Sequence, residues 1–123
     1  MPVPILKQGD VLIASIQSAL TDRDLLRLRD EMSEKVGQYR SRGVVIDVTA
    51  LDVMDSFATR TLRGLAAAIR LRGAETVIVG IQPDVAMTLV QLGLTLDGVA
   101  TALDLEEGLA ALAALTEVRH RGG

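Results

Sequence analysis

Three short runs rich in valine and isoleucine, residues 11–16, 44–48 and 76–81, constrain this chain more than any other feature. They are apolar at nearly consecutive positions, the pattern of inner strands covered on their faces and unlike the alternation of a half-exposed strand. Amphipathic helical stretches separate them. Parallel strands cannot be joined by a tight turn, so strands alternating with helices imply parallel pairing through right-handed crossovers. The expected class is α/β.

The helices have readable ends. Thr21-Asp22-Arg23-Asp24 has the form of a capping box, with Asp where Glu or Gln is preferred. Leu25, Leu28, Met32, Val36 and Tyr39 follow on one stripe, and the chain is expected to leave this helix at Gly43. A second helix is expected from about Ser56 to Leu71, with Leu62, Leu65, Ala66 and Ile69 inward and Gly73 as the stop. A third opens at Pro83 and ends near Gly93. Asp104-Leu105-Glu106-Glu107 caps a fourth, carried by Leu105, Leu109, Leu112 and Leu115.

Residues 4–7 read as a weaker strand, joined to the first run by a turn at Gln8-Gly9-Asp10, and the proline at its start suits a sheet edge. A further short strand is expected around residues 99–101. The order is ββαβαβα(β)α: a mixed, mostly parallel sheet of four to five strands with an antiparallel N-terminal edge strand and about four helices. One domain is expected over residues 4–116, with 1–3 and 117–123 as loose termini.

Composition removes several function classes. Hydrophobic residues are 49% of the 123 but aromatic residues only 2%, Tyr39 and Phe57, so the core must be aliphatic. Thirteen basic against sixteen acidic residues give a net charge of −3, which opposes nucleic-acid binding, and no aromatic platform exists to stack bases. The chain has no cysteine and a single histidine, His120, expected to lie in a frayed tail, so thiolate and imidazole metal chemistry have little to draw on. The N-terminus lacks the form of a signal peptide and no apolar run reaches bilayer length, so a cytoplasmic domain without membrane contact is expected.

Parallel α/β domains place their sites in loops at the carboxyl ends of strands. Two such loops stand out, residues 48–57 and Gly80-Ile81-Gln82-Pro83. Asp47, Asp52 and Asp55 in or beside the first admit a Mg²⁺ site or, alternatively, a solvated acidic loop with Asp55 or Ser56 as a helix N-cap. No lysine lies near to serve phosphoryl chemistry and no glycine-rich phosphate cradle follows any strand, so no cofactor is expected. Ser56 has no nucleophile-elbow motif around it. Its ordinary role at a helix start is capping. The other reading is a phosphoacceptor, because a helix N-terminus tolerates an added dianion and the acidic loop would turn that charge against a docked partner. Phe57 is either an exposed anchor or a buried pin for the loop. Arg60, Arg63, Arg70 and Arg72 form either a solvated basic face or a complement to an acidic partner.

The element order, the stretch VVIDVTALDVMDSF from Val44 to Phe57 and the turn Gly80-Ile81-Gln82-Pro83 together resemble the STAS domain, the fold of bacterial anti-sigma factor antagonists. More narrowly, Pro4-Ile5-Leu6-Lys7, Ser15-Ile16-Gln17, Gly80-Ile81-Gln82-Pro83 with Val85-Ala86, and Thr101-Ala102-Leu103-Asp104-Leu105-Glu106 are similar to the RsbS-type scaffolds of the stressosome. That resemblance implies a non-enzymatic protein that co-assembles with RsbR-type sensory STAS paralogues and self-associates. It implies sequestration of an RsbT-type switch serine kinase, released when the kinase phosphorylates Ser56, and a phosphatase that resets the serine. The residues expected to meet partners are Asp47, Asp52, Asp55, Phe57, Arg60, Gln82 and Pro83. For self-association the candidates are apolar positions on the N-terminal edge strand or within residues 89–96. Sporulation-type antagonists follow their serine with Gly-Leu-Gly, whereas Phe57-Ala58-Thr59 stands here. Direct antagonism of an anti-sigma kinase is therefore the alternative, with a Mg²⁺- or nucleotide-binding domain behind it.

Overall fold

The computed structural model describes residues 3–18 and 20–122, with side chains as far as Glu117. In chain order the elements are β1 (Ile5–Gln8), β2 (Val11–Ser15), α1 (Asp22–Tyr39), β3 (Gly43–Asp47), α2 (Ser56–Leu71), β4 (Glu75–Val79), α3 (Pro83–Gln91), β5 (Ala100–Ala102) and α4 (Leu105–Gly122). The five strands lie in sequence order, β1 antiparallel to β2 and every later pair parallel. This is the mixed sheet expected from the sequence, with β1 at one edge and the short β5 at the other.

The pleat divides each inner strand between two layers. Leu12, Ala14, Val44, Ile46 and Ile78 face one core with Leu28, Met32 and Val36 of α1, Leu62, Leu65 and Ile69 of α2, and Val85 and Leu89 of α3. Ile13, Val45, Val77 and Val79 face the other, where Leu112 of α4 is the buried helical partner. Three helices therefore cover one face and one helix the other. Close approach makes the single helix sufficient: a Cβ on Gly108 would stand 2.5 Å from Val79 Cγ1, so α4 can lie this low on β4 only with glycine there.

Local signals set the helix starts. Thr21 Oγ1 accepts from Asp24 N–H at 3.1 Å and Asp24 Oδ2 accepts from Thr21 N–H at 3.2 Å, completing the capping box. At α4, Glu107 N–H donates to Asp104 Oδ1 at 2.9 Å and Leu103 N–H to Glu107 Oε2 at 3.0 Å.

Other expectations are corrected by packing. Helix α1 ends earlier than Gly43, at Arg40, which takes the left-handed conformation (φ 51°) usually left to glycine, while Ser41 N–H returns to Val36 O. Gly43 instead opens β3, buried beneath Leu112. Tyr39 does not join the inner stripe but is 41% exposed, with the Lys7 and Lys35 ammonium groups 5.9 and 5.8 Å from its ring centre. Of the four α4 leucines only Leu112 is buried; Leu105 and Leu115, at the ends of the contact, are each 37% exposed. The α4 backbone is helical to Gly122, through most of the segment expected to be loose. The His120 side chain and the first two residues lie outside what is described.

The side chain and then the backbone N–H of Thr21 hold the Asp24 carboxyl below its ordinary 3.8. A carboxyl lowered by folding favours the folded state when ionised, and that contribution is lost as pH falls through the lowered value. Asp24→Asn should therefore melt below the parent at neutral pH, with the gap closing on acidification. Thr21→Ala should cost about 1 kcal/mol at neutral pH in urea titrations.

Candidate functional site

The carboxyl ends of β3 and β4 stand side by side, Asp47 level with Val79. Asp47 Oδ1 accepts from Thr49 N–H at 2.9 Å and from Thr49 Oγ1 at 2.6 Å, an Asx turn that bends the chain as it leaves β3. Val48 N–H donates to Val79 O and Leu51 N–H to Val48 O, each near 3 Å. Leu51 and Met54 are buried and pull the loop onto the core, while Val53 between them is 71% exposed. Every third residue of the loop, Val48, Leu51 and Met54, thus serves the core, and the residues between them face the surface.

The α2 N-cap is Asp55. Its Oδ1 accepts from Ala58 N–H at 2.7 Å, and its carbonyl oxygen accepts from Thr59 N–H at 3.0 Å and Thr59 Oγ1 at 2.9 Å. Ser56 is the first helical residue, exposed, and its hydroxyl is not needed for the cap. Of the two candidate caps, the aspartate holds the helix and the serine is left available. Phe57 is half-buried, between the anchor and pin readings, and Thr59 is fully buried.

The turn after β4 completes the site. Gly80 has φ +80°, and a Cβ there would overlap the Thr49 hydroxyl and stand 3.2 Å from Thr49 Cα, so the two loops meet backbone to backbone only because residue 80 is glycine. Gln82 is the N-cap of α3 and Pro83 its first residue, yet the Gln82 side chain makes no cap bond. It crosses to the first loop, where Nε2 donates to Thr49 O at 2.8 Å and to Asp52 Oδ1 at 3.2 Å. The sequence marks out both loops, but it assigns neither Thr49 nor Gly80 a role of its own. Their signals were present, an Asp-x-Thr turn after one strand and a lone glycine ending the next.

The expected acidic cluster is divided among separate tasks: Asp47 on Thr49, Asp52 on Gln82, Asp55 on the cap. Among the described residues no group of three His, Cys, Asp or Glu side chains could hold a metal ion. The basic set on α2 is divided too. Arg70 meets Glu75 at 3.3 Å and Gly98 O at 2.9 Å, Arg72 lies against Gly37 of α1, and Arg63 only approaches Thr95 Oγ1 at 3.5 Å. Arg60, nearest the loop, is exposed, and no ion pair or hydrogen bond holds its guanidinium among the described residues. An apolar cleft of about 100 Å³ flanks Asp55, lined by Ile16, Leu25, Leu51, Val53 and Leu62. Exposed hydroxyl, exposed arginine and apolar cleft share one end of the sheet. Such a surface suits docking of a protein.

Of the expected self-association surfaces, Leu6 on β1 is 65% exposed and Val90 on α3 is 78% exposed, whereas Leu89 is buried. No described helix is long and apolar enough to cross a membrane.

A sheet of this order, with a loop leading from β3 into the head of α2, is that of a STAS domain; the STAS family model matches residues 3–108, and the chain belongs to that family. Within it, the chain is a non-enzymatic STAS module related to the RsbS and RsbR proteins of the stressosome system. It is 38% identical to Moorella thermoacetica RsbS carrying a serine-to-glutamate substitution, with a TM-score of 0.80 over 94% of this chain and 97% of that one. A chain from a structure of the stressosome, "a signal integration and transduction hub", is 39% identical with a TM-score of 0.75, covering 91% of this chain and 97% of that one. The RsbT co-antagonist protein RsbRA of Bacillus subtilis is 32% identical over 91 residues, 74% of this chain. This chain spans about a third of the length of RsbRA and RsbRC, 33% of each.

Gly80→Ala should force the two loops apart and lower stability by about 2 kcal/mol, from the positive φ and the collision with Thr49 together. A urea midpoint unchanged from the parent would contradict that contact.

Proposed function

We propose that this chain is a stress-signalling scaffold switched by phosphorylation of Ser56. It co-assembles with RsbR-type sensory STAS paralogues into a stressosome and also self-associates. It holds an RsbT-type serine kinase on the surface formed by the 48–55 loop, Phe57, Arg60 and Pro83, and it works in the cytoplasm. Phosphorylation releases the kinase, and a phosphatase resets the serine. The observation that carries this reading is the division of labour at the head of α2: Asp55 caps the helix, so the exposed Ser56 hydroxyl can be modified without unmaking the fold.

A phosphate there adds about −1.5 to −2 charges at a helix N-terminus, which the helix accommodates, beside Asp52 and Asp55, which would repel an acidic partner surface. The effect falls on the interface. Support also comes from the relatives, whose names refer to RsbT co-antagonism and the stressosome, and from the RsbS structure in which glutamate replaces a serine. Direct antagonism of an anti-sigma kinase is less well supported. Phe57 and the buried Thr59 fill positions where sporulation-type antagonists carry glycines, and SpoIIAA shares the fold at only 16% identity.

The test is a phosphorylation assay with an RsbT-type kinase and ATP. The parent should be labelled and Ser56→Ala should not, and Ser56→Glu should weaken capture of the kinase about tenfold or more, as charge placed in a docking surface does. Equal labelling of Ser56→Ala and the parent would sink the reading.

A further inference from the structure

Gln82 was expected to contact a partner, but its amide is used inside the domain. Both of its close neighbours, Thr49 O at 2.8 Å and Asp52 Oδ1 at 3.2 Å, are acceptors, so both amide N–H groups point at the loop that leads to Ser56. The helix it heads has less need of a side-chain cap, since Pro83 at the first position has no N–H to satisfy. Thr49, which receives one of the two bonds, is itself held by Asp47 and seated against Gly80. Asp47, Thr49, Gln82 and Asp52 thus form one connected chain of hydrogen bonds spanning both loops.

The loop has further anchors, and its start is held by Val48 N–H on Val79 O and Leu51 N–H on Val48 O. Leu51 and Met54 bury their side chains, and the Asp55 cap fixes the far end. Apolar burial is non-directional and keeps the loop on the domain without fixing the path of its backbone. Hydrogen bonds at 49 and 52 are directional and supply that path. Without Gln82 the loop would stay docked and its two ends would stay bonded, but the stretch around Asp52 would lose its directional hold.

We propose that Gln82 is a positioning residue for phosphoryl transfer to Ser56: it holds the acceptor hydroxyl in one presentation and does not itself grip the kinase. The proposal rests on the reading of Ser56 as phosphoacceptor. In the step concerned, the Ser56 oxygen bonds to the γ-phosphorus of ATP, the bond from that phosphorus to the bridging oxygen breaks with ADP leaving, and the hydroxyl proton passes to a base on the kinase. In-line transfer is sensitive to small displacements of the acceptor, so a loosened loop lowers turnover more than binding.

The experiment compares the full chain with Gln82→Ala and with Gln82→Met, which keeps the side-chain length but has no donor. Both variants should melt close to the parent. The hydrogen-bonded amides of Thr49 and Leu51 should exchange with solvent about tenfold faster in each, with the buried centre of α2 unchanged. With an RsbT-type kinase and ATP, kcat for Ser56 labelling should fall about tenfold while KM for the chain stays within about twofold. A raised KM at constant kcat would make Gln82 a direct partner contact and overturn the proposal, as would unchanged loop exchange. If Ser56→Ala is unlabelled and the Gln82 variants label like the parent, the positioning role fails and the phosphoacceptor reading stands. Labelling of Ser56→Ala at the parent's level removes both.

Discussion

The burial of β3 on both faces is the constraint on which the rest of the molecule depends. Val44, Val45 and Ile46 are wholly inaccessible, with α1 and α2 on one side and α4 on the other. A strand enclosed in this way cannot end against solvent on its faces, so the chain emerges only at its carboxyl end. That point of emergence is Asp47, and β4 emerges beside it in register. Both functional loops are therefore consequences of how the central strands are covered.

At that end the molecule separates structural duties from exposed chemistry residue by residue. Leu51, Met54 and Thr59 face inward; Val53, Ser56 and Arg60 face outward; Asp55 carries the cap. The separation matters because a hydroxyl engaged in capping would tie modification to unfolding of the helix start, whereas the serine here is independent of it. The acidic residues illustrate the same economy. In sequence they form a negative cluster, but in space each carboxylate has its own hydrogen-bond partner, and their chemistry is that of loop construction.

Features that depend on neighbours in sequence were legible before the fold. The Thr21 and Asp104 boxes, the proline at the head of α3 and the inward face of α2 each follow from a spacing of three or four residues along a helix, and each stands where the spacing places it. The hairpin at Gly9 and the parallel order of β2, β3 and β4 follow from turn chemistry and strand–helix alternation. Exposure at the ends of α4 was not legible, because the stripe of leucines is continuous in sequence while only its middle, Leu109 and Leu112, packs on the second core. The end of α1 was missed because glycine was taken as the stop and an arginine fills that role.

The amino-acid sequence by itself determined the class of fold, the helix starts and the loop that bears Ser56, since propensity, capping and periodicity act within a few residues. Only the tertiary structure decided which of Asp55 and Ser56 caps the helix and that Gln82 binds the other loop. It alone decided that Gly43 and Gly108 serve α4 and that three aspartates close together in sequence act apart. The Gln82 bond to Thr49 spans 33 positions and the two glycine contacts join a helix to the sheet, whereas the Asp55 cap on Ala58 is local and stayed open only because either residue type can cap. Local rules cannot reach that far, because the distance closes only when the sheet has formed.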